Sequence, residues 1–280
     1  MFKILEKTKL NDAVVKMVID APRVAAKAEP GQFIILRVDD NGERIPLTVA
    51  DFDREKGTVT IIFQLAGGET RLLGQKEAGD SIPDFVGPLG VASHTEGLKK
   101  VAVVGGGVGC AIAYPVAKKL HEQGTVVHSI VGFRNKDMVI LENEFGAVSD
   151  VLRLMTDDGS HGAKGLVTNA LEELIQSGEV YDEVIAIGPI IMMKFVAELT
   201  RKYGIKTVVS MNPVMIDGTG MCGGCRVTVG GESKFACVDG PEFDGHQVDF
   251  DRLMQRNNMY HDHEEKHACR LINKEVSSNA

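Results

Sequence analysis

Over residues 1–97 the apolar positions fall in short β-branched and aromatic runs broken by turn residues. QFIILRV (32–38) follows Pro30–Gly31, and TVTIIFQL (58–65) follows Lys56–Gly57. Such runs between turns predict antiparallel strands of a barrel or sandwich. Asp39, Asp40, Asn41 and Gly42 read as a hairpin turn. TRLLGQK (70–76) reads as a helix, and DFVGPLG (84–90) marks a change of direction.

From Lys99 the period changes. KKVAVVGGGVG (99–109) is a buried strand running into a glycine loop. AIAYPVAKKLHEQG (111–124) has helical spacing, with Pro115 expected to kink it. TVVHSIVGF (125–133), VLRLMTDDG (151–159), YDEVIAIGP (181–189) and KTVVSMN (206–212) predict strands. GLVTNALEELIQSG (165–178) and IMMKFVAELTRKYG (191–204) predict helices, the first ended by glycine. Strands alternating with helices imply a parallel α/β sheet. The expected fold is therefore mixed β and α/β. An antiparallel β-barrel occupies 1–97, a parallel-sheet nucleotide-binding domain 98–209, and a small cysteine-bearing region with a polar tail 210–280.

Composition narrows the class. The 280 residues suffice for about two domains with a core in each, and 44% hydrophobic with 25% charged residues is ordinary for a globular protein. A net charge of −8 disfavours nucleic acid and anionic membranes as partners. MFKILEKTKL has no signal-peptide shape, and no apolar run approaches membrane-spanning length. Three of the five cysteines cluster at one place, unlike a secreted disulfide framework. A reducing, cytoplasmic setting is expected.

That cluster, MNPVMIDGTGMCGGCRVTVGGESKFACVDG (211–240), carries the strongest chemical signal. Plant-type iron–sulfur ligation uses C-x4-C-x2-C and a more distant cysteine. Here Asp217 takes the first slot, and Cys222, Cys225 and Cys237 take the others. The spacing fits a 2Fe-2S cluster with one oxygen ligand, and such a centre moves single electrons. Structural zinc and buried, unligated thiols remain as alternatives on spacing alone.

Other positions suggest bound phosphates and rings. Gly105, Gly106, Gly107 and Gly109 form a strand–loop–helix junction where a phosphate can approach the backbone and the helix N-terminus. Cys110 fills the last glycine slot, so the strict dinucleotide pattern fails, and a tight turn without a ligand stays open. Gly132 to Lys136, after the next strand, is placed to meet ribose or phosphate. Gly188–Pro189 ends a strand with room for a flat ring, or is an ordinary turn. Arg44 and Thr48, with Pro46 and Leu47 between, put a cation and a hydroxyl on one face of an extended chain. The helix start Gly67-Gly68-Glu69-Thr70 offers a diphosphate site. A solvated Arg44 and a simple Thr70 cap are the plainer readings. Cys110 and the Met192–Met193 pair read as packing. His261, His263, His267 and Cys269 lie in a tail read as solvated or partner-facing, with metal binding as the alternative.

The order of these motifs resembles the ferredoxin-NADP reductase superfamily. With the cysteine segment, the chain is similar to the small subunit of NADH-dependent reduced ferredoxin:NADP oxidoreductase, also called the sulfide dehydrogenase beta subunit. It is related to the electron-transfer subunit of dihydroorotate dehydrogenase. The likeness covers nearly the whole chain, including TDDGSHGAKG (156–165) and GPIIMMK (188–194). In the dihydroorotate-linked subunits the first cluster ligand is normally cysteine, and in the ferredoxin-linked ones it is aspartate. The resemblance implies FAD held by Arg44, Pro46, Leu47 and Thr48, with Gly67, Gly68 and Thr70 at its diphosphate. It implies NAD(H) or NADP(H) at Gly105 to Gly109, with Asp157 at its ribose or adenine end and Gly188–Pro189 beside the nicotinamide. It also implies a large iron–sulfur flavoprotein partner, with ferredoxin reached through the complex. Many superfamily members carry cysteine before that Gly-Pro, where this chain has Ile187. A zinc-stabilised nucleotide-binding module is the competing reading from another class.

Overall fold

The computed structural model describes residues 1–40 and 42–258. Residue 41, the three tail histidines and Cys269 lie outside the described residues. The first half forms a seven-stranded antiparallel sheet that curls into a nearly closed barrel. Its order is Ser81–Ile82, Phe2–Asn11, Val14–Asp20, Thr58–Gln64, Arg44–Asp53, Phe33–Arg37 and Asp84–Leu89. Apolar residues on alternate positions, including Ile4, Met17, Ile34, Leu36, Ile61 and Phe63, fill the inside. The turn expected at 39–42 joins two paired strands, with Arg37 opposite Arg44 and the Gly42 amide donating to Asp39 O at 3.2 Å. The helix expected at 70–76 spans Gly68–Gln75.

The second half is a seven-stranded sheet in the order Ala163–Lys164, Val151–Thr156, Val126–Phe133, Lys100–Gly106, Glu183–Ile187, Thr207–Ser210 and Glu242–Asp244. All neighbours run parallel except the last pair. Strand Lys100–Gly106 is central and covered on both faces. Val101 and Val103 meet helix Cys110–Glu122 through Ala113, Val116 and Leu120. Ala102 and Val104 meet helices Val167–Gln176 and Ile190–Lys202 through Leu171, Met193 and Val196. This explains the unbroken apolar run in the sequence. Helix Cys110–Glu122 continues through Pro115, which is buried in it. Cys110 and Met193 are core, and Met192 packs partly buried against it.

The three parts share cores. Val14, Ala50 and Ile62 of the barrel pack with helix Cys110–Glu122. Phe33 and Ile35 pack with Cys225, Val227 and Cys237 of the cysteine segment. That segment adds a hairpin, Arg226–Val229 with Glu232–Phe235, and sends Glu242–Asp244 back to the edge of the parallel sheet. The hairpin strands and this edge strand are only three or four residues long, too short for a period to mark them in the sequence. Helix Phe250–Asn258 closes the described chain.

The sheet order reverses between Lys100–Gly106 and Glu183–Ile187, whose carboxyl ends lie side by side. Glycine permits this approach. A Cβ at Gly109 would fall 2.6 Å from Ile187 O and 2.7 Å from Gly188 Cα. Those are backbone atoms and have nowhere to move. Gly109→Ala should therefore cost about 2–3 kcal/mol. Gly146→Ala, on helix Glu142–Ala147 with no atom within 4 Å of its Cβ position, should gain about 0.5–1 kcal/mol. Denaturant midpoints measure both, and equal midpoints would refute the close-approach account.

Candidate functional site

Open α/β sheets bind ligands outside the carboxyl ends of strands where their order reverses. A cleft of about 570 Å3 opens at that point, between the sheet and the barrel. The barrel contributes Phe33, Pro46, Leu47, Thr48 and Thr70. The sheet contributes Gly106, Gly107, Gly109, Gly188 and Pro189. Asn212, Pro213, Met215 and Pro241, from the segment leading to and past the cysteines, close the third side. Ligand sites of this size are mostly apolar with a few placed polar groups. Here Thr48, Gln64, Thr70, Arg134, Ser210 and Asn212 are the polar members.

Most of the residues predicted to hold cofactors thus come together in one cavity. Arg44, Gly67, Gly68, Gly105 and Asp157 do not line it. Arg44 is exposed at the start of its strand. Gly67 is the N-cap of helix Gly68–Gln75 and faces open space. Gly105 is turned inward, with the Cys110 sulfur 2.8 Å from where its Cβ would lie. Asp157 is exposed just past strand Val151–Thr156, its amide donating to Phe133 O at 3.0 Å. Gly107 differs from its neighbours in the glycine loop. It has a left-handed φ of +55° and nothing within 4 Å of its Cβ position, so here the loop backbone is bare toward the cleft. Gln64 and Asn212 were not singled out from the sequence. Their signal was position, since Gln64 ends strand Thr58–Gln64 and Asn212 follows Thr207–Ser210.

Thr70 has a local task. Its hydroxyl accepts from the Gly67 and Ala66 amides at 3.0 and 3.1 Å and bonds Gly67 O at 3.0 Å. It therefore fixes the helix start.

The four predicted cluster ligands are arranged as two pairs. Cys225 and Cys237 are buried with their sulfurs 3.3 Å apart. Burial, then the neighbouring Cys225, pushes the Cys237 thiol up to about 12. Asp217 and Cys222 are on the exposed side, joined by the Cys222 amide donating to Asp217 Oδ2 at 2.8 Å. The Thr219 amide donates to Asp217 Oδ1 at 2.8 Å, and these backbone donors hold the carboxyl below its usual range. The Gly224 amide approaches the Cys222 sulfur at 3.5 Å. Among the described residues no three metal-binding side chains converge on one point. One carboxyl and three thiols form a donor set that suits a two-iron cluster, which takes two ligands per iron.

A barrel and a switch-point sheet sharing one cleft, with a cysteine segment seated on both, define a reductase of the ferredoxin-NADP reductase type. A family model described as the iron–sulfur cluster binding domain of dihydroorotate dehydrogenase B matches residues 212–249. A Thermotoga maritima protein, named a homologue of the electron-transfer subunit of dihydroorotate dehydrogenase B (NAD(+)), is 48% identical over 262 residues, covering 94% of this chain and 92% of that one. The electron-transfer subunit of the Bacillus pumilus enzyme is 33% identical over 255 residues, covering 88% and 96%. The chain belongs to this family of electron-transfer subunits. A structure solved for flavin-based electron bifurcation by an NADH-dependent reduced ferredoxin-NADP oxidoreductase superposes with a TM-score of 0.92 at 46% identity, covering 97% and 98%. Among the described residues no helix is long and apolar enough to cross a membrane.

Thr70→Ala should destabilise the fold by about 1 kcal/mol, the usual cost of losing such a cap, while Thr70→Ser should restore most of it. Thermal unfolding of the two variants reads this directly. Equal loss in both would assign Thr70 to methyl packing instead.

Proposed function

We propose that this chain is the electron-transfer subunit of an oxidoreductase, linking NAD(H) or NADP(H), FAD and a 2Fe-2S cluster to a large iron–sulfur flavoprotein partner. When bound, FAD supplies hydride exchange with the nucleotide, and the cluster supplies one-electron exchange. The observation that carries the reading is the seating of the paired ligands. Cys225 and Cys237 share a hydrophobic core with Phe33, which also lines the cleft.

The residues fit these groups. Pro46, Leu47 and Thr48 form the barrel wall that would take the flavin ring, and the N-terminus of helix Gly68–Gln75 would take its diphosphate, with Gly67, Gly68 and Arg44 beside it. The bare backbone at Gly107, flanked by Gly106 and Gly109, would take the nucleotide phosphates, and Gly188–Pro189 would border the nicotinamide. Gly105 supports that loop from behind, and Asp157 stands past the next strand end for the ribose or adenine. Asp217, Cys222, Cys225 and Cys237 would hold the cluster. Their thiols must lose protons to do so, which makes assembly pH-dependent.

The partner reading has its own support. Ile216, Met221 and Val238 are each next to a proposed ligand and 49%, 88% and 42% exposed. Exposed apolar groups gathered around such a site mark an interaction face. Asp217 in the first ligand slot favours the ferredoxin-linked complex, in which ferredoxin is reached through the partner, over dihydroorotate oxidation. Co-purification separates the two by the identity of the bound flavoprotein. The cysteine usage supports a cytoplasmic setting.

Anaerobically purified protein should contain flavin and about two iron atoms with matching acid-labile sulfide per chain. Cys225→Ala and Cys237→Ala should lose the iron. Asp217→Cys should keep it with a changed reduction potential, read by redox titration of the electron paramagnetic resonance signal. A colourless protein holding one zinc would sink the assignment.

A further inference from the structure

A short connector, residues 90–93, leaves the barrel and is held from two sides. The Val91 amide donates to Gly240 O at 2.7 Å, and the Ser93 amide donates to Pro30 O at 2.9 Å. Gln32 Nε2 donates to Gly90 O at 2.8 Å. A side-chain bond ties the connector to the edge strand: Ser93 Oγ donates to Glu242 Oε1 at 2.6 Å across 149 positions of sequence. Space here is tight. Gly31 has a φ of +84°, and a Cβ on it would fall 2.2 Å from Ser93 Oγ and 3.2 Å from Glu242 Oε1. Barrel, connector and cysteine segment therefore converge on one carboxyl group.

Glu242 stands opposite Ser210 at the sheet edge. Ser210, Met211 and Pro241 line the cleft, and the Met211 amide donates to Pro241 O at 2.9 Å. In the other direction the chain leads back to Cys237. Glu242 thus sits on the stretch of backbone that joins the cleft wall to the thiol pair.

We propose that Glu242 is a positioning residue: its carboxyl clasps Ser93 and fixes the cysteine segment in place against the cleft. The clasp is sensitive to ionisation, because one hydroxyl donor does not replace the hydration of a carboxylate. Burial pushes Glu242 up to about 7, and the Ser93 bond pulls the other way. The charged or titratable groups on the segments that meet here are Glu29, next to Pro30 and paired with Arg54 at 2.6 Å, His94, just after the connector, Asp244 on its own strand, and Glu183, paired with Lys206 at 2.6 Å. Of these Glu183 acts on Glu242, in the direction that retains the proton. The folded form therefore holds a proton that the opened form releases, and the junction loosens as pH rises toward and through neutrality.

The functional meaning rests on reading the cleft and the cysteines as cofactor sites, but the clasp can be tested without them. Hydrogen exchange is measured on the purified protein for peptides spanning 90–93 and 240–244, corrected for intrinsic rates. Wild type should open about tenfold more readily at about pH 8 than at about pH 6. Glu242→Gln, which keeps an acceptor and carries no charge, should stay protected at both. Ser93→Ala, which removes the donor, should move the inflection to higher pH. In protein carrying its cofactors, the rate at which NADH bleaches the iron–sulfur absorbance should follow the same inflection in wild type and lose it in Glu242→Gln. An unchanged pH profile in Glu242→Gln, or an unmoved inflection in Ser93→Ala, overturns the proposal. Failure of the absorbance arm alone, with the exchange arm intact, counts instead against the cofactor reading.

Discussion

The carboxyl ends of strands Lys100–Gly106 and Glu183–Ile187 approach so closely that side chains are excluded between them. Gly109 lies against the Ile187 carbonyl, and Gly188 lies against Gly106. This contact sets the floor of the cleft and aims the start of helix Cys110–Glu122 at it. The helix in turn packs on the barrel through Val14, Ala50 and Ile62, so the position of the opposite wall follows from the same contact. Lys118 on this helix also reaches Asp51 of the barrel at 3.0 Å. That bond is partly exposed and adds little energy to the packing.

The cysteine segment is not a separate appendage. Its two buried cysteines belong to a core that also contains Phe33, Ile35, Met193 and Val209. Gly218, directly after Asp217, has a left-handed φ and sits where a Cβ would meet Leu89 and Ile35. The edge strand Glu242–Asp244 completes the sheet whose other strands form one side of the cleft. A cluster held there would be braced by the same atoms that shape the cleft. This suits electron transfer, in which the protein's task is to hold cofactors at fixed separation rather than to supply acids or bases.

Charge is arranged to the same end. Backbone amides hold the Asp217 carboxyl below its usual range on the exposed side, while burial pushes the Cys237 thiol up on the inner side. Ile216, Met221 and Val238, the neighbours of Asp217, Cys222 and Cys237, are exposed.

Local pattern carried much of this in the chain itself. The valine runs of the parallel strands, the amphipathic helices and the glycine punctuation are short-range features, and each predicted element lies where its period placed it. The spacing of Asp217, Cys222, Cys225 and Cys237 is likewise local, and the iron–sulfur cluster it suggests agrees with the family model that matches residues 212–249. What residue spacing left open was how distant pieces meet. Gly105 and Gly107 look alike in sequence, yet one packs on Cys110 and the other faces the cleft, because only the folded backbone decides which side of a loop is covered. Gln64, Asn212 and Glu242 are unremarkable letters in the chain. Their roles arise from contacts across more than a hundred positions, and such contacts are set by tertiary packing rather than by any period.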